Sequence, residues 1–565
     1  MRVTTKVIQN NSVSNINANK VIQDKLNNQM ATEKKIVRPS DDPVVAIRAL
    51  RLRTNVSQVS QYYDKNIPDA ESWMSVTEDA LNVVSNVLTD MIEQCTKGSS
   101  EKLTATDRNT ILEALKGLRD EVYSTGNADY AGRSVFTGYR TETTLKFTEA
   151  TSLKYSITEQ LQNSALDTIR YVNKTIDINN INEVNFMDTG YSDIVEQDIE
   201  ETTICRMRLA YSNVDNLGVK PVIQTYDSTA TPPGYAAFND PAETEIISQN
   251  TTPNPYDVMK QYDKDNETAY QTAYDAEYAT QIGAGASEED AVAAAEEAGR
   301  AAETDKFILV PETGELLMTR TAYEKLMQLT DEVSTSQIDE GEIRVSYDKS
   351  DWKLDDLKPE HYFACVAATK DGDITYNPDY LIGIHEKQAI EYDVGLNQSI
   401  RVNTTADEVF THDIGRDIDD LISSMQGVID MTETVERLEK IALGYADTES
   451  AEYIALHNEI DAANKALTFL KEKNQKLFEG SITKMQNHLN VANYATTNCG
   501  TRESKLALIK NRLMSQKTNF ETLQSENEDI DMTEAAIHLS SAELTYQAAL
   551  MSVSKIMQTS LMNYI

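Results

Sequence analysis

Apolar positions recur at helical spacing at both ends of the chain and lose that spacing in the middle. From Met1 to about Glu33, Ile8, Ile16, Ile22, Leu26 and Met30 form a thin apolar stripe on an otherwise polar segment. A helix with so narrow a stripe is marginal alone, because nucleation is costly and little area is buried, so it needs a partner. Pro39 biases Arg38 away from helical backbone and ends this element. In the run Ser40-Asp41-Asp42-Pro43, Asp42 suits an N-cap and Pro43 the first helical position, where its missing N–H costs nothing. The helix that starts there is predicted to reach about Lys97 through Ala46, Leu50, Val56, Trp73, Leu81 and Leu88, with a kink or break at Pro68. Thr104 and Asp107 have the spacing of a capping box for a further helix ending near Gly126, which folds back as an antiparallel hairpin.

Between Arg133 and about Phe410 the runs are short, alternating and β-branched, such as Ser134-Val-Phe-Thr137 and Glu342-Ile-Arg-Val-Ser-Tyr347. They predict a β-rich insert, divided into two subdomains by an Ala/Glu/Tyr-rich stretch from Glu267 to Glu303. Ser287 to Asp290 can cap a surface helix there, through Val292 to Ala302. The helical period returns at about Asp413. Ile414, Ile418, Leu421 and Met425 mark one helix; Leu456, Ile460, Leu467 and Leu477 mark a second, closed by Gly480; Leu506, Ile509, Leu513 and Leu523 mark a third, with spacing that suits a coiled-coil seam. After an interruption at Asp529-Ile-Asp531, the last segment has only Glu534, His538, Glu543 and Lys555 as ionisable side chains. Its apolar residues, including Leu544, Tyr546, Leu550, Met551, Val553, Ile556, Met557 and Leu561, wrap much of the helix. Each large apolar side chain buried is worth roughly 1.5 to 3 kcal/mol, and one partner helix cannot cover that circumference. Burial among helices of other copies or other subunits is the expectation.

The predicted fold class is mainly α with a β-rich insert: a long helical-bundle or coiled-coil shaft built from both termini, with inserted β-containing outer domains. The expected divisions are a terminal assembly segment over 1–42, one half of the shaft over 43–145, the insert over 146–405, the other half of the shaft over 406–529, and a second assembly segment over 530–565.

Charge narrows the choice of function. The net charge is −39, from 91 acidic against 52 basic residues, which excludes attraction to nucleic acid or to an anionic membrane surface. Asp24 is the only acid before Glu33, so the N-terminal segment stands apart from the acidic middle. No apolar run approaches the roughly 18 residues needed to span a bilayer, and Met1 to Met30 lacks the apolar region of a cleavable secretory signal. Cys95, Cys205, Cys365 and Cys499 are too scattered for a disulfide framework or a zinc site and read as inert buried thiols. His385-Glu386 opens like a zinc-protease motif, but Ala389 stands where the second histidine is needed. Asp263, Asp265 and Glu267 begin like a calcium loop, yet Thr268 replaces its glycine and Tyr274 its closing glutamate. Gly283-Ala-Gly285 runs into acidic residues and is no phosphate cradle. No catalytic, cofactor or metal site is predicted, and the chain is not expected to be an enzyme.

The order of these parts resembles the flagellin superfamily. Ser40-Asp-Asp-Pro43 with Asn66, and Ala70 to Leu81, are similar to the amino-terminal shaft motif of that superfamily. Asn127-Ala-Asp-Tyr-Ala-Gly-Arg-Ser-Val-Phe-Thr-Gly138 resembles the version found in its hook–filament junction proteins rather than in filament subunits. Asn498 to Leu513, Ser525 to Asp529 and Tyr546-Gln-Ala-Ala-Leu550 resemble their carboxy-terminal half. The similarity covers roughly residues 1–145 and 485–565; the large insert, the helical hairpin near Ala451 to Gly480, Pro68 and the cysteines depart from it. The resemblance implies an extracellular structural protein of the bacterial flagellum, exported unfolded by the flagellar type III apparatus with the help of an export chaperone and without a cleaved signal. Its partners would be hook-associated protein 1, flagellin and its own copies in a ring. Alternatives are a flagellin filament subunit, a four-helix bundle with its termini packed at home, an enzyme carried by the insert, and a coiled-coil surface adhesin.

Overall fold

The computed structural model describes residues 5–162, 165–215, 220–227, 234–328, 343–370, 372–382, 388–445 and 447–558. Its helices are α1 (Thr5–Thr32), α2 (Pro43–Gln61), α3 (Ile67–Gly98), α4 (Ala105–Thr125), α5 (Thr175–Asn179), α6 (Pro255–Gly283), α7 (Glu288–Ala302), α8 (Arg320–Met327), α9 (His412–Ala442), α10 (Ala451–Glu528) and α11 (Met532–Gln558). Helices dominate both ends of the chain and strands occupy the middle, the mainly α architecture with a β-rich insert. The chain divides into two compact units. One comprises residues 1–72, 391–401 and 501–565; the other comprises 73–390 and 402–500.

The caps form as the local chemistry requires. Asp42 accepts hydrogen bonds from the N–H groups of Val44 and Val45, with Pro43 at the first helical position. Thr104 and Asp107 close a reciprocal capping box on α4. Pro68 does not break its helix. A π turn over Tyr62–Asn66 links α2 to α3 just before the proline and takes up the misfit of its ring and missing N–H. Nor does Gly480 end a helix: α10 runs unbroken from Ala451 to Glu528. A glycine inside a helix costs about 1 kcal/mol relative to alanine, which a helix packed along its length absorbs.

In the first unit, α1 lies along α11. One row of sheltered positions on α1 is Gln9, Ser12, Ile16, Asn19, Gln23, Leu26 and Met30, and one on α11 is Ala535, Leu539, Ala542, Tyr546, Ala549 and Val553, with Gln29 and Ala536 sheltered beside them. Both sets step alternately by three and four residues, the spacing of a two-stranded coiled-coil seam. A hairpin of β14 (Glu391–Gly395) and β15 (Gln398–Arg401) belongs to the same unit.

The second unit holds two larger sheets. A five-stranded sheet has the order β4 (Leu166–Val172), β5 (Glu201–Arg208), β10 (Glu315–Met318), β9 (Phe307–Val310), β8 (Glu245–Ile246). A six-stranded sheet has the order β13 (Gly372–Tyr376), β12 (Ala364–Thr369), β3 (Lys154–Leu161), β11 (Ile343–Lys349), β6 (Val222–Asp227), β7 (Gly234–Ala237), and a small ribbon pairs β1 (Asp129–Tyr130) with β2 (Arg133–Ser134). The pairings are antiparallel except between β8 and β9. Every residue of β9 and β10 is buried, so both faces of that sheet are covered. The stretch read as β-rich contains a helix that alternation did not reveal. Asn254 caps α6 and Pro255 opens it, repeating the Asp42-Pro43 device. Tyr270, Tyr274 and Tyr278 stack along α6. Ala291, Ala295 and Gly299 are the buried residues of α7, which packs on α6. A Cβ on Gly299 would lie 2.6 Å from the Tyr270 ring, so any larger residue there would have to displace that ring.

Residues of the 172–199 segment, among them Ile178, Ile181, Phe186 and Ile194, form one core with Val428, Met431 and Leu438 of α9 and Leu456, Ala463 and Leu467 of α10. Glu459 of α10 is fully buried, and neither carboxylate oxygen has a hydrogen-bond partner among the described residues. Burial pushes its pKa up to about 8. Because the folded pKa lies above the unfolded one, the stabilisation of the neutral form is complete below the usual carboxylate range. It drains away as pH rises to about 8. Both tryptophans, Trp73 and Trp352, are buried in this unit, so their fluorescence reports its unfolding. Urea midpoints from that signal are expected to fall between pH 5 and pH 9 in the native chain. The slope should be markedly shallower in Glu459→Gln; parallel pH profiles would refute the assignment.

Candidate assembly surfaces

The large apolar side chains of the terminal helices point in two directions. On α1, Ile16, Leu26 and Met30 enter the seam, whereas Ile8 and Ile22 face outward beside Val7, Val13 and Val21. On α11, Tyr546 and Val553 enter the seam, whereas Leu544 (69% exposed), Leu550 and Met551 (67%) face outward with Ile537. Ile537, Leu544 and Met551 are spaced by seven residues and so share one face of the helix. Ile556 and Met557 lie on the α11 backbone with side chains outside the described residues, and Leu561 lies outside them altogether. The seam itself is rich in Gln, Ser, Asn and Ala. The α1–α11 contact therefore mixes polar, small and large apolar residues, and a second set of apolar side chains stays on the outer surfaces of the two helices.

The shaft motif is a turn and a cap. Asp41 accepts from the N–H groups of Arg38 (2.9 Å) and Val37 (3.3 Å), and the Arg38 N–H leads in holding its carboxyl below the usual range. Ser40 is exposed in the turn. Asn66, in the π turn, donates 2.7 Å to the Asp393 carbonyl of the β14–β15 hairpin, and Tyr392 of that hairpin donates to Asp69. Lys510 pairs with Glu71 and Lys517 with Asp64, both at 2.7 Å. Residue types common on any surface thus assemble one corner of the first unit.

The two links joining the terminal pair to the rest of that unit are themselves paired. Glu33 takes left-handed backbone (φ 57°) and accepts from the Ile530 N–H at 3.1 Å, while the Lys35 N–H donates 2.7 Å to the Glu528 carbonyl. Lys34 forms an ion pair with Asp529, and Arg53 Nε donates 2.7 Å to Glu528, a carboxylate only 2% exposed. Hydrogen bonds from Lys34 and Ser525 hold the Asp529 carboxyl low. In the sequence this place is visible only as an interruption of the helical period at Asp529 to Asp531. The partners stand 475 residues apart at Arg53 and Glu528, and nothing in their local pattern links them.

In the second unit a charge network joins the five-stranded sheet to helices. Arg206 of β5 meets Asp167 (2.9 Å), Glu315 and, on α9, Asp420 (2.6 Å). Arg208 meets Asp417 (2.8 Å), which also accepts from Lys484 (2.9 Å) and His488 (3.0 Å) of α10. Burial alone would raise the Asp417 pKa, but the His488 hydrogen bond and the Arg208 and Lys484 charges outweigh it and hold the carboxyl well below the usual range. The four cysteines are buried. Asp263 sits on α6 and accepts from the Arg320 N–H, so the acids of the calcium-like run lie on a helix rather than a loop. His385 and Glu386 lie outside the described residues. Among the described residues no helix is long and apolar enough to cross a membrane.

Residues 3–141 match the family model described as the bacterial flagellin N-terminal helical region. Flagellar hook-associated protein 3 of Salmonella typhimurium is 32% identical over 143 residues, and that of Escherichia coli 32% identical over 144 residues. Each match takes in 25% of this chain and 45% of the relative, so the chain spans a little under half the length of the curated relatives it matches. Among solved structures, a putative flagellar hook-associated protein from Vibrio parahaemolyticus aligns over 86% of this chain and 100% of its own, at 13% identity and a TM-score of 0.27. FlgL from Xanthomonas campestris aligns over 83% and 98%, at 10% identity and a TM-score of 0.24. Superpositions that poor carry no weight beside the sequence match. The chain carries a flagellin-type N-terminal helical region and is similar to flagellar hook-associated protein 3.

Proposed function

We propose that this chain is a structural subunit of the bacterial flagellum at the hook–filament junction, where a ring of its copies joins the hook, through hook-associated protein 1, to the flagellin filament. The observation that carries this reading is the pairing of α1 with α11 through a mixed polar and apolar seam that still leaves Ile537, Leu544 and Met551 exposed, in a chain that is 32% identical to hook-associated protein 3 over 143 residues. Such a surface stays tolerable on a strongly charged monomer and is covered on assembly. On this reading the acidic insert faces the medium, and the subunit travels unfolded through the flagellar export apparatus, with a chaperone and no cleaved signal.

The match to the flagellin N-terminal region also supports a second reading, a filament subunit. Immunogold labelling separates the two. A single cluster of label just beyond the hook is expected; label along the whole filament would make the chain a flagellin.

A further inference from the structure

The chain passes between the α1–α11 pair and the helices α2 and α10 through two links, residues 33–42 and 529–531. Lys34 and Asp529 pair across them as a short antiparallel bridge. The two backbone hydrogen bonds of that bridge join partly exposed residues and compete with water, so by themselves they restrain the links weakly. A side chain does more. Arg53 of α2 grips the Glu528 carboxylate with its fork, Nε to Oε1 at 2.7 Å and Nη2 to Oε2 at 2.5 Å, and Lys34 stands 4.0 Å away. The Glu528 carbonyl accepts the Lys35 N–H, and the Lys35 ammonium donates 2.5 Å to the Glu526 carbonyl. Asn527 adds a bond of 3.2 Å to the Val45 carbonyl. Glu528 is thus the point where α2, the last turn of α10 and the first link meet.

We infer that Arg53 and Glu528 form a latch that holds the α1–α11 pair at one angle to α2 and the end of α10. A guanidinium fork on a carboxylate fixes direction as well as distance, which a point charge does not. The Arg53 side chain is 57% exposed, but that of Glu528 is only 3% exposed, and this asymmetry separates the contact from an ordinary surface ion pair. Without Arg53 the buried carboxylate keeps one cation at 4.0 Å, and its least costly response is to turn into water. That turn loosens the carbonyl that holds Lys35, the bridge parts, and the pair swings on two unsupported links. The latch belongs to the free chain and goes beyond the assembly reading, standing alike in a junction protein and in a filament subunit. A pair already held at one angle loses less freedom on docking than one that swings.

The test is a spin–spin distance measurement by pulsed electron resonance on the purified full chain. Ser14→Cys on α1 and Ser57→Cys on α2 are exposed sites for the labels, and the four native cysteines are buried. A single narrow distance distribution is expected with Arg53 and Glu528 in place. R53A and E528A should each broaden it about twofold or more, as the pair samples several angles. R53A/E528A should broaden it no further than R53A alone, because both changes remove one contact. A second label pair, Ser14→Cys with Ser541→Cys, spans α1 and α11 and should stay narrow in every variant. A broad distribution between α1 and α2 with the latch intact, a narrow one in R53A and E528A, or additive broadening in the double variant overturns the latch. So does broadening between α1 and α11, which would mean that the helices melt rather than swing.

Discussion

Leu544→Asp combined with Met551→Asp is expected to abolish incorporation into the flagellum while leaving the isolated chain as stable as before. Both side chains are about two-thirds exposed and lie outside the α1–α11 seam, so in the monomer the aspartates stay hydrated and the stability change falls within about 0.5 kcal/mol. In an assembled wall the same carboxylates would be buried without partners. Two of them cost on the order of 4 kcal/mol at each contact, about a thousandfold in association constant. The measurements are the melting temperature of the purified chain and complementation of a deletion strain. A large drop in melting temperature would mean that this stripe is packed at home, as in an ordinary four-helix bundle. Normal complementation would remove the outer surface of α11 from the assembly.

The second large effect belongs to Arg206. Its guanidinium is buried among Asp167, Glu315 and Asp420, and Tyr256 also donates to Glu315. Arg206→Ala leaves three carboxylates facing one another in a low-dielectric site, and the expected loss is about 3 to 5 kcal/mol, the range for breaking a buried ion pair by removing one partner. Tryptophan fluorescence during urea unfolding reads this directly. The deficit should narrow as pH falls through the carboxylate range, because protonation relieves the repulsion that the arginine had screened. A loss under about 1 kcal/mol, or one independent of pH, would show that the network adds little to the attachment of the sheet to α9.

Much of this architecture could be read from short-range chemistry. Asp42 with Pro43, Thr104 with Asp107, and Ser287 with Asp290 each act within one turn, and each forms as the sequence indicates. The strand over Ile343–Lys349 follows from β-branched alternation in the same way. The failures have physical causes. Helix α6 leaves no apolar period in the sequence because its packing face sets tyrosines against alanine and glycine rather than large aliphatic residues. Gly480 reads as a helix end in the sequence, yet α10 passes through it, because the cost of one helical glycine is small.

The terminal helices show a subtler limit. An apolar stripe was visible in Ile8, Ile16, Ile22, Leu26 and Met30, but spacing alone did not say which members face the partner within the chain. The structure divides them because α1 and α11 meet through Gln23, Asn19 and Ala542 as well as through Ile16 and Leu26. The clasp of Arg53 on Glu528 and the network around Arg206 were invisible for a different reason. Ionic contacts across hundreds of residues leave no periodic trace in a sequence where a quarter of the residues are charged.

The central claim is that this chain joins filament to hook. Negative-stain microscopy of a strain lacking the protein tests it most directly. The account predicts hooks that end bare, with flagellin shed into the medium; filaments still attached to those hooks would contradict it.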